Sequence, residues 1–274
     1  MNLNEKNFMN YQKWYHFIKS TNQITIPYTV DSIETCQFIL ELSSIKNKTI
    51  FLTNVDIDFP PPKKPYKYEK YFRKEEVPLD YESIDYYDKV NMDVINIVEK
   101  NNIHIVTYSA SIYHPNITCI PLGIYHQFHH FHLKNEKSTL CYMNMGMPCD
   151  RWFGNPRKNI SIPFALQKSN LSTDEYYEDI SKSKFMICPR GCGIDTYRMW
   201  DCIVLGCIPI VQKYYGHQSF EDLPILFVDD YDITEEFLNQ TYEIFSKRSF
   251  NYEKCTIDYW INNVTRRMET FQKK

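Results

Sequence analysis

The chain has 274 residues and a formal net charge of −3, from 31 Lys and Arg against 34 Asp and Glu. That length buries a large core and admits one large domain or two compact ones of about 130 residues each, while the charge gives no electrostatic case for a nucleic-acid partner. The opening MNLNEKNFMNYQKWYHF is polar and amphipathic, without the apolar run of a signal core or a membrane span, so the sequence predicts a soluble, cytoplasmic protein.

Residues 1 to 30 carry little signal. Ile33, Phe38, Ile39 and Leu42 give the segment from Ser32 to Ser44 a helical rhythm. Thr49 to Leu52 reads as a buried strand that runs into Asn54-Val55-Asp56-Ile57-Asp58. Phe59-Pro60-Pro61-Pro62-Lys63-Lys64-Pro65 can be neither helix nor central strand. It opens a long Tyr- and charge-rich loop to about residue 80, which is either a functional lid or a solvated insertion. Tyr81 to Lys100 has partial helical face signals, and Ile103 to Tyr108 reads as a strand. Ile120 to Ile124 follows as a short extended piece, and His126 to Lys137 as a His-rich connection between two halves. Thr139 to Met143 opens the second half as a strand. Further on, Ile225 to Val228 is a core strand, Asp232 to Phe245 an amphipathic helix, and Tyr252 to Lys274 a polar helix. Strands alternating with helices predict a parallel α/β architecture.

Residues 183 to 211, SKFMICPRGCGIDTYRMWDCIVLGCIPIV, carry the most chemistry. Phe185 to Cys188 is a buried strand, and Pro189-Arg190-Gly191-Cys192-Gly193 breaks it into a loop. Asp195 as N-cap and Gly206 as the C′ residue enclose a helix of about three turns. Ile208 to Val211 is the next strand. A strand–helix–strand unit of this kind puts the loop and the helix N-terminus at the carboxyl edge of a sheet, where ligands bind in open α/β folds. Backbone N–H groups and the helix dipole favour an anion there. Arg190 and Arg198 add forked positive charge suited to phosphate, and Asp201 offers a carboxylate for ribose hydroxyls. Gly191, Gly193 and Thr196 complete the turn.

Nine cysteines, an odd number with scattered spacing, are expected to be reduced thiols. Cys188, Cys192, Cys202 and Cys207 admit a zinc-bearing scaffold as a reading, but their spacing matches no zinc knuckle, and core packing is preferred. Six Asn-x-Ser/Thr sequons, at Asn47, Asn116, Asn159, Asn170, Asn239 and Asn263, read as chance matches in an Asn-rich chain. Aromatic residues make up 16% of the chain, with 22 Tyr. They suit stacking on sugars or bases, but compositional bias toward Lys, Asn, Ile and Tyr accounts for most of them.

The loop–helix segment resembles the C-terminal half of the exostosin-like glycosyltransferases, including short forms from large DNA viruses. The residues that carry the resemblance are Pro189, Arg190, Gly191, Asp195, Arg198, Trp200, Asp201 and the strand Gly206-Cys207-Ile208-Pro209-Ile210-Val211. It extends forward through Leu223-Pro224-Ile225 and Asp229-Asp230. It also reaches back to His114-Pro115-Asn116-Ile117 and Ile120-Pro121-Leu122-Gly123-Ile124, so it covers about residues 103 to 235. One departure is Asp201, where the family has Glu.

The resemblance implies a GT-B-like α/β fold, two Rossmann-like halves with a cleft between them. The corresponding division is an acceptor-side domain over 1–135, a nucleotide-sugar-binding domain over 136–256, and a C-terminal helix over 257–274 that packs back on the N-terminal half. It also implies an enzyme that moves a sugar from a nucleoside-diphosphate donor, UDP-linked, to a glycan or glycoprotein acceptor. Such an enzyme inverts the anomeric centre and needs no metal and no cofactor beyond the co-substrate. A viral member would work in the host cytoplasm.

Transfer of this kind requires neutralisation of the leaving diphosphate, removal of the acceptor proton and in-line positioning. Arg190, Arg198 and Arg151 are the candidates for charge, with Arg157 competing for the place of Arg151. The base is expected from the first half. Asp56 and Asp58 follow a buried strand and so lie at a carboxyl edge, although ordinary turn chemistry explains either one. In the cluster His126, His129, His130 and His132, a solvated connection is the favoured reading, and His126 is the member to test as a base or phosphate contact. Two other readings share the same site: a non-catalytic nucleotide- or glycan-binding module and a retaining GT-B transferase.

Overall fold

The structure is a computed structural model and describes residues 8–21, 23–27, 42–53, 94–110, 114–125, 135–145, 157, 160–191, 193–213 and 215–273. The proline-rich loop, the His-rich connection and most of the helix expected at 32–44 lie outside the described residues.

The chain is a mixed α/β protein with two parallel sheets. The first has the order β1-β2-β3-β4, with β1 at Ile24–Pro27, β2 at Thr49–Thr53, β3 at His104–Thr107 and β4 at Ile117–Cys119, and all of its pairs are parallel. Helix α1, Tyr11–Ser20, precedes it, capped by the Asn10 side chain, which accepts from the Lys13 amide at 2.9 Å. The low signal in residues 1 to 30 hid both α1 and β1. Helix α1 buries Trp14 and Ile18, four residues apart and therefore on one face. The Trp14 indole donates to the Pro121 carbonyl at 3.0 Å.

The extended piece expected at 120–124 is displaced. The paired strand is Ile117–Cys119, and Ile124 makes an isolated parallel bridge with Asn10. Pro121 has no N–H to pair, and Gly123 takes φ +74, so a ladder cannot continue through them.

The second sheet has the order β6-β5-β7-β8-β9, again all parallel. Its strands are β5 at Thr139–Met143, β6 at Leu166–Gln167, β7 at Ser183–Ile187, β8 at Ile208–Gln212 and β9 at Leu226–Val228. Strands β7 and β8 are buried nearly throughout, which is why they read as continuous apolar runs. Helix α2, Thr173–Lys182, enters β7, and α3, Tyr197–Val204, links β7 to β8. Helix α3 is two turns long rather than three. Its N-cap is Thr196, without a side-chain cap bond, and the Asp195 carboxylate accepts from Leu122 and Trp200. Its C-terminus is as expected: Gly206 follows the C-cap in the left-handed region, at φ +65.

Helix α4, Glu235–Lys247, covers one face of the second sheet with Leu238 in a core of Cys141, Phe185, Ile187 and Ile210. The polar helix expected at the end of the chain is in fact amphipathic. After a 3₁₀ turn at Tyr252–Cys255, α5 at Ile257–Gln272 buries Ile257, Trp260, Val264 and Met268. This stripe repeats every three or four residues, which general polarity had obscured. Helix α5 reaches back to the first sheet. Phe271 stacks on His104 at 4.9 Å, its carbonyl accepts from the Asn102 side chain at 3.1 Å, and Thr256 bridges Phe8. One apolar cluster therefore runs from Phe8 and Trp14 through both sheets to Trp260, and a second lies on the second sheet under α4.

The described cysteines are buried free thiols, and Cys188 and Cys202 touch at 3.7 Å between their sulfurs. Among the described residues no helix is long and apolar enough to cross a membrane. Nor do any three His, Cys, Asp or Glu side chains among them converge as metal ligands.

Two glycines separate strain from collision. A Cβ at Gly206 would meet little, with Lys137 Nζ at 3.9 Å, so Gly206→Ala should cost about 1 kcal/mol for the left-handed backbone alone. A Cβ at Gly123 would also collide with the Met9 carbonyl. Urea denaturation of the two variants should therefore give a clearly lower midpoint for Gly123→Ala, and equal midpoints would mean that the contact with Met9 is not tight.

Candidate functional site

The carboxyl ends of both sheets meet at one loop. On the second sheet, the Cys188 amide extends the β7 ladder by donating to the Ile210 carbonyl at 2.9 Å, and Pro189 then ends the pairing. The loop closes on itself through the Gly191 amide, which donates to the Gly193 carbonyl at 3.1 Å. Its next two residues cross to the first sheet. The Ile194 amide donates to the Ser109 hydroxyl, just past β3, at 3.3 Å. The Asp195 Oδ2 accepts from the Leu122 amide, just past β4, at 2.7 Å, and Oδ1 accepts from the Trp200 indole at 2.8 Å. Ligand sites of parallel sheets lie at this edge, because the strands end there and loops supply the contacts.

Three arginines surround or enter the loop. The Arg157 Nε donates to the Arg190 carbonyl at 3.3 Å, and its guanidinium lies over Gly191, 3.5 Å from where a Cβ would stand. Arg157 is thus the described arginine from the segment after β5 that reaches the loop. Arg151, favoured by sequence, lies outside the described residues. Arg190 is only 8% exposed. His217, from the 3₁₀ helix Tyr215–Phe220, is buried, and its pKa falls to about 4 through burial, with Arg190 adding to the effect.

Arg198 stands at the first turn of α3 with its Nε buried and without a hydrogen-bond partner among the described residues. Burial works against its cation. The Tyr176 hydroxyl, which it contacts from α2, and the Cys188 and Cys202 thiols more than offset that and hold its pKa above the ordinary arginine value. Asp201 lies three residues further on and so on the same helix face. Burial pushes its carboxyl up to about 8 despite the nearby Arg198 charge. Asp195 is pushed up to about 7, again by burial, against the opposing bonds from Leu122, Trp200 and Thr196. Burial thus disfavours the negative charge that Asp201 could offer to Arg198.

Of the residues singled out by sequence, Arg190, Gly191, Gly193, Asp195, Thr196, Arg198 and Asp201 share this one loop–helix unit. Asp56, Asp58 and His126 lie, like Arg151, outside the described residues. Sequence reasoning missed Tyr176 and Tyr177 because it missed α2. The signal was present: Ser172 and Glu175 form a capping box, with the Ser172 hydroxyl accepting from the Glu175 amide and Glu175 from the Ser172 amide. Farther along the same edge, Lys213, Asp229, Asp230, Asp232 and Phe237 line an open cleft of about 630 Å³.

Comparison with protein-family models gives no match, and comparison with curated proteins gives none either.

The Asp201 shift has a definite sign. An acid whose folded pKa lies above its unfolded value stabilises the fold below the unfolded value, here 3.8, and loses that contribution as pH rises through about 8. His104 and His217, pushed down to about 3 and about 4, act in the opposite direction and finish near their ordinary value of 6.5. Between about pH 6.5 and pH 8.5 the acid effect stands apart from theirs. Asp201→Asn should melt higher than the parent at about pH 8.5, and the gap should shrink as pH falls. A gap that does not change with pH would show that Asp201 is charged throughout.

Proposed function

We propose that the protein is a glycosyltransferase that moves a sugar from a nucleoside-diphosphate donor, uridine-linked, to a hydroxyl of a glycan acceptor. The observation that carries the reading is Arg198: a half-buried guanidinium whose buried Nε–H is unfilled, at the carboxyl edge of a parallel sheet, next to a loop that holds Arg190 and that Arg157 reaches. A buried N–H left unfilled on a cation is costly, and an anionic ligand relieves that cost. A diphosphate suits the position, because forked guanidinium groups bind phosphate oxygens in pairs. As the glycosidic bond to the donor breaks, charge accumulates on the departing diphosphate, and fixed arginines stabilise it without having to reorganise.

In this reading Asp201 hydrogen-bonds a ribose hydroxyl. The arginines carry the charge that a divalent ion carries in other transferases. The meeting of the two carboxyl edges favours a GT-B arrangement, with donor on the second half and acceptor on the first. The base that takes the acceptor proton is then sought at Asp56, Asp58 or His126. The resemblance of residues 103 to 235 to exostosin-like transferases supports the same assignment and suggests inversion at the anomeric carbon.

A thermal-shift panel of nucleotide sugars tests the donor, because a ligand that binds the folded state raises its melting temperature. A UDP-linked sugar should give the largest shift, and product analysis should show transfer with inversion. Arg198→Ala should fold with unchanged circular dichroism, bind the donor about a hundredfold more weakly and lose turnover. Full activity in that variant would reject the site, and donor binding without transfer or hydrolysis would reduce the protein to a binding module.

A further inference from the structure

Asp195 is an unusual place for a carboxylate. It is 6% exposed, and among the described residues the groups that act on it are uncharged N–H donors: the Leu122 and Thr196 amides and the Trp200 indole. Desolvation of a carboxylate is costly unless its lone pairs are filled, and here they are filled from both sides of the junction. Leu122 belongs to the segment leaving the first sheet, whereas Trp200 and Thr196 belong to the loop–helix unit of the second. The bond from Ile194 to Ser109 lies beside it. Aromatic contacts flank the same joint. Tyr125 meets Tyr197 edge-on at 4.9 Å, and Trp200 meets Phe220 edge-on at 5.4 Å. Arg190 is five residues before Asp195 in the loop, and Arg198 three residues after it, so whatever fixes Asp195 fixes where both guanidinium groups stand.

We propose that Asp195 is a positioning residue: its carboxylate latches the arginine-bearing loop to the first sheet at Leu122, and anion binding at the loop and closure of the latch reinforce each other. The ligand half of this statement rests on the diphosphate reading above, whereas the latch itself does not. Coupling of this kind is reciprocal: a ligand that prefers the latched state protects the latch, and loss of the latch weakens the ligand by the same factor.

Residue-resolved amide hydrogen exchange on the full chain, with and without UDP, tests both halves. In Asp195→Ala the Leu122 and Ile194 amides should lose protection by about tenfold, the scale of one hydrogen bond. The Ile105 and Cys188 amides, bonded to the Asn116 and Ile210 carbonyls within the sheets, should keep theirs. UDP should raise Leu122 protection in the parent, and the variant should bind UDP about tenfold more weakly. Asp195→Asn keeps the volume and one acceptor. It serves if the alanine variant does not fold, with the same expected direction. Unchanged protection at Leu122, or equal loss at Ile105 and Cys188, overturns the latch, since the first means that other contacts hold the joint and the second that Asp195 supports the whole fold. If UDP fails to bind the parent, the diphosphate reading falls, and with it the coupling, while the exchange pattern without UDP still decides the latch.

Discussion

A parallel sheet delivers all of its strand ends to one edge, and this chain brings two such edges together around a single buried carboxyl group. The Asp195 side chain has one oxygen turned to each half. Its partner on the first sheet is a backbone amide, which leaves little freedom in where the loop can lie. Everything chemically distinctive about the second half follows within a few residues of that point: the proline that ends β7, the glycines, and the arginines on either side. The start of α3 lies there too, one residue past Asp195, at the Thr196 N-cap.

The second constraint is electrostatic. Water is largely excluded from the space between α2, α3 and the ends of β5 and β7, so the charged form of each acid is disfavoured. The arginine there cannot lose its charge in the same way. The outcome is a region where positive charge persists more readily than negative, walled by Tyr176 and by the Cys202 thiol, whose pKa burial pushes up. A cation held in such a place interacts more strongly with an incoming anion than the same cation on a wet surface.

How far the sequence could be read depended on how local the cause was. Strands β7, β8 and β9 are buried within a parallel sheet, and their continuous apolar runs gave them away. Gly206 was legible because a helix end needs a left-handed residue at that spot. Strand β1 has four residues and β6 two, too few for a period to emerge. Helix α2 announces itself by its cap rather than by its pattern, and the cap was overlooked. The start of α3 was misplaced for a different reason: the partner that claims Asp195 is 73 residues away in the chain, and no local rule reveals it. The loop and its arginines were legible through chemistry and through the family resemblance. The buried, unfilled Nε of Arg198 and the upward shift of the Asp201 carboxyl depend on packing and could only come from the structure.

Helix α5 also bears on how the molecule is made. It covers the first sheet, with Phe271 against His104 and Met268 in the shared core, yet it is synthesised after the whole of the second sheet. The first half therefore emerges from the ribosome with part of its apolar face uncovered, and that face must wait through the synthesis of its neighbour. Completion of the amino-terminal sheet is consequently a late, long-range event, and the nascent chain carries that surface exposed until α5 arrives.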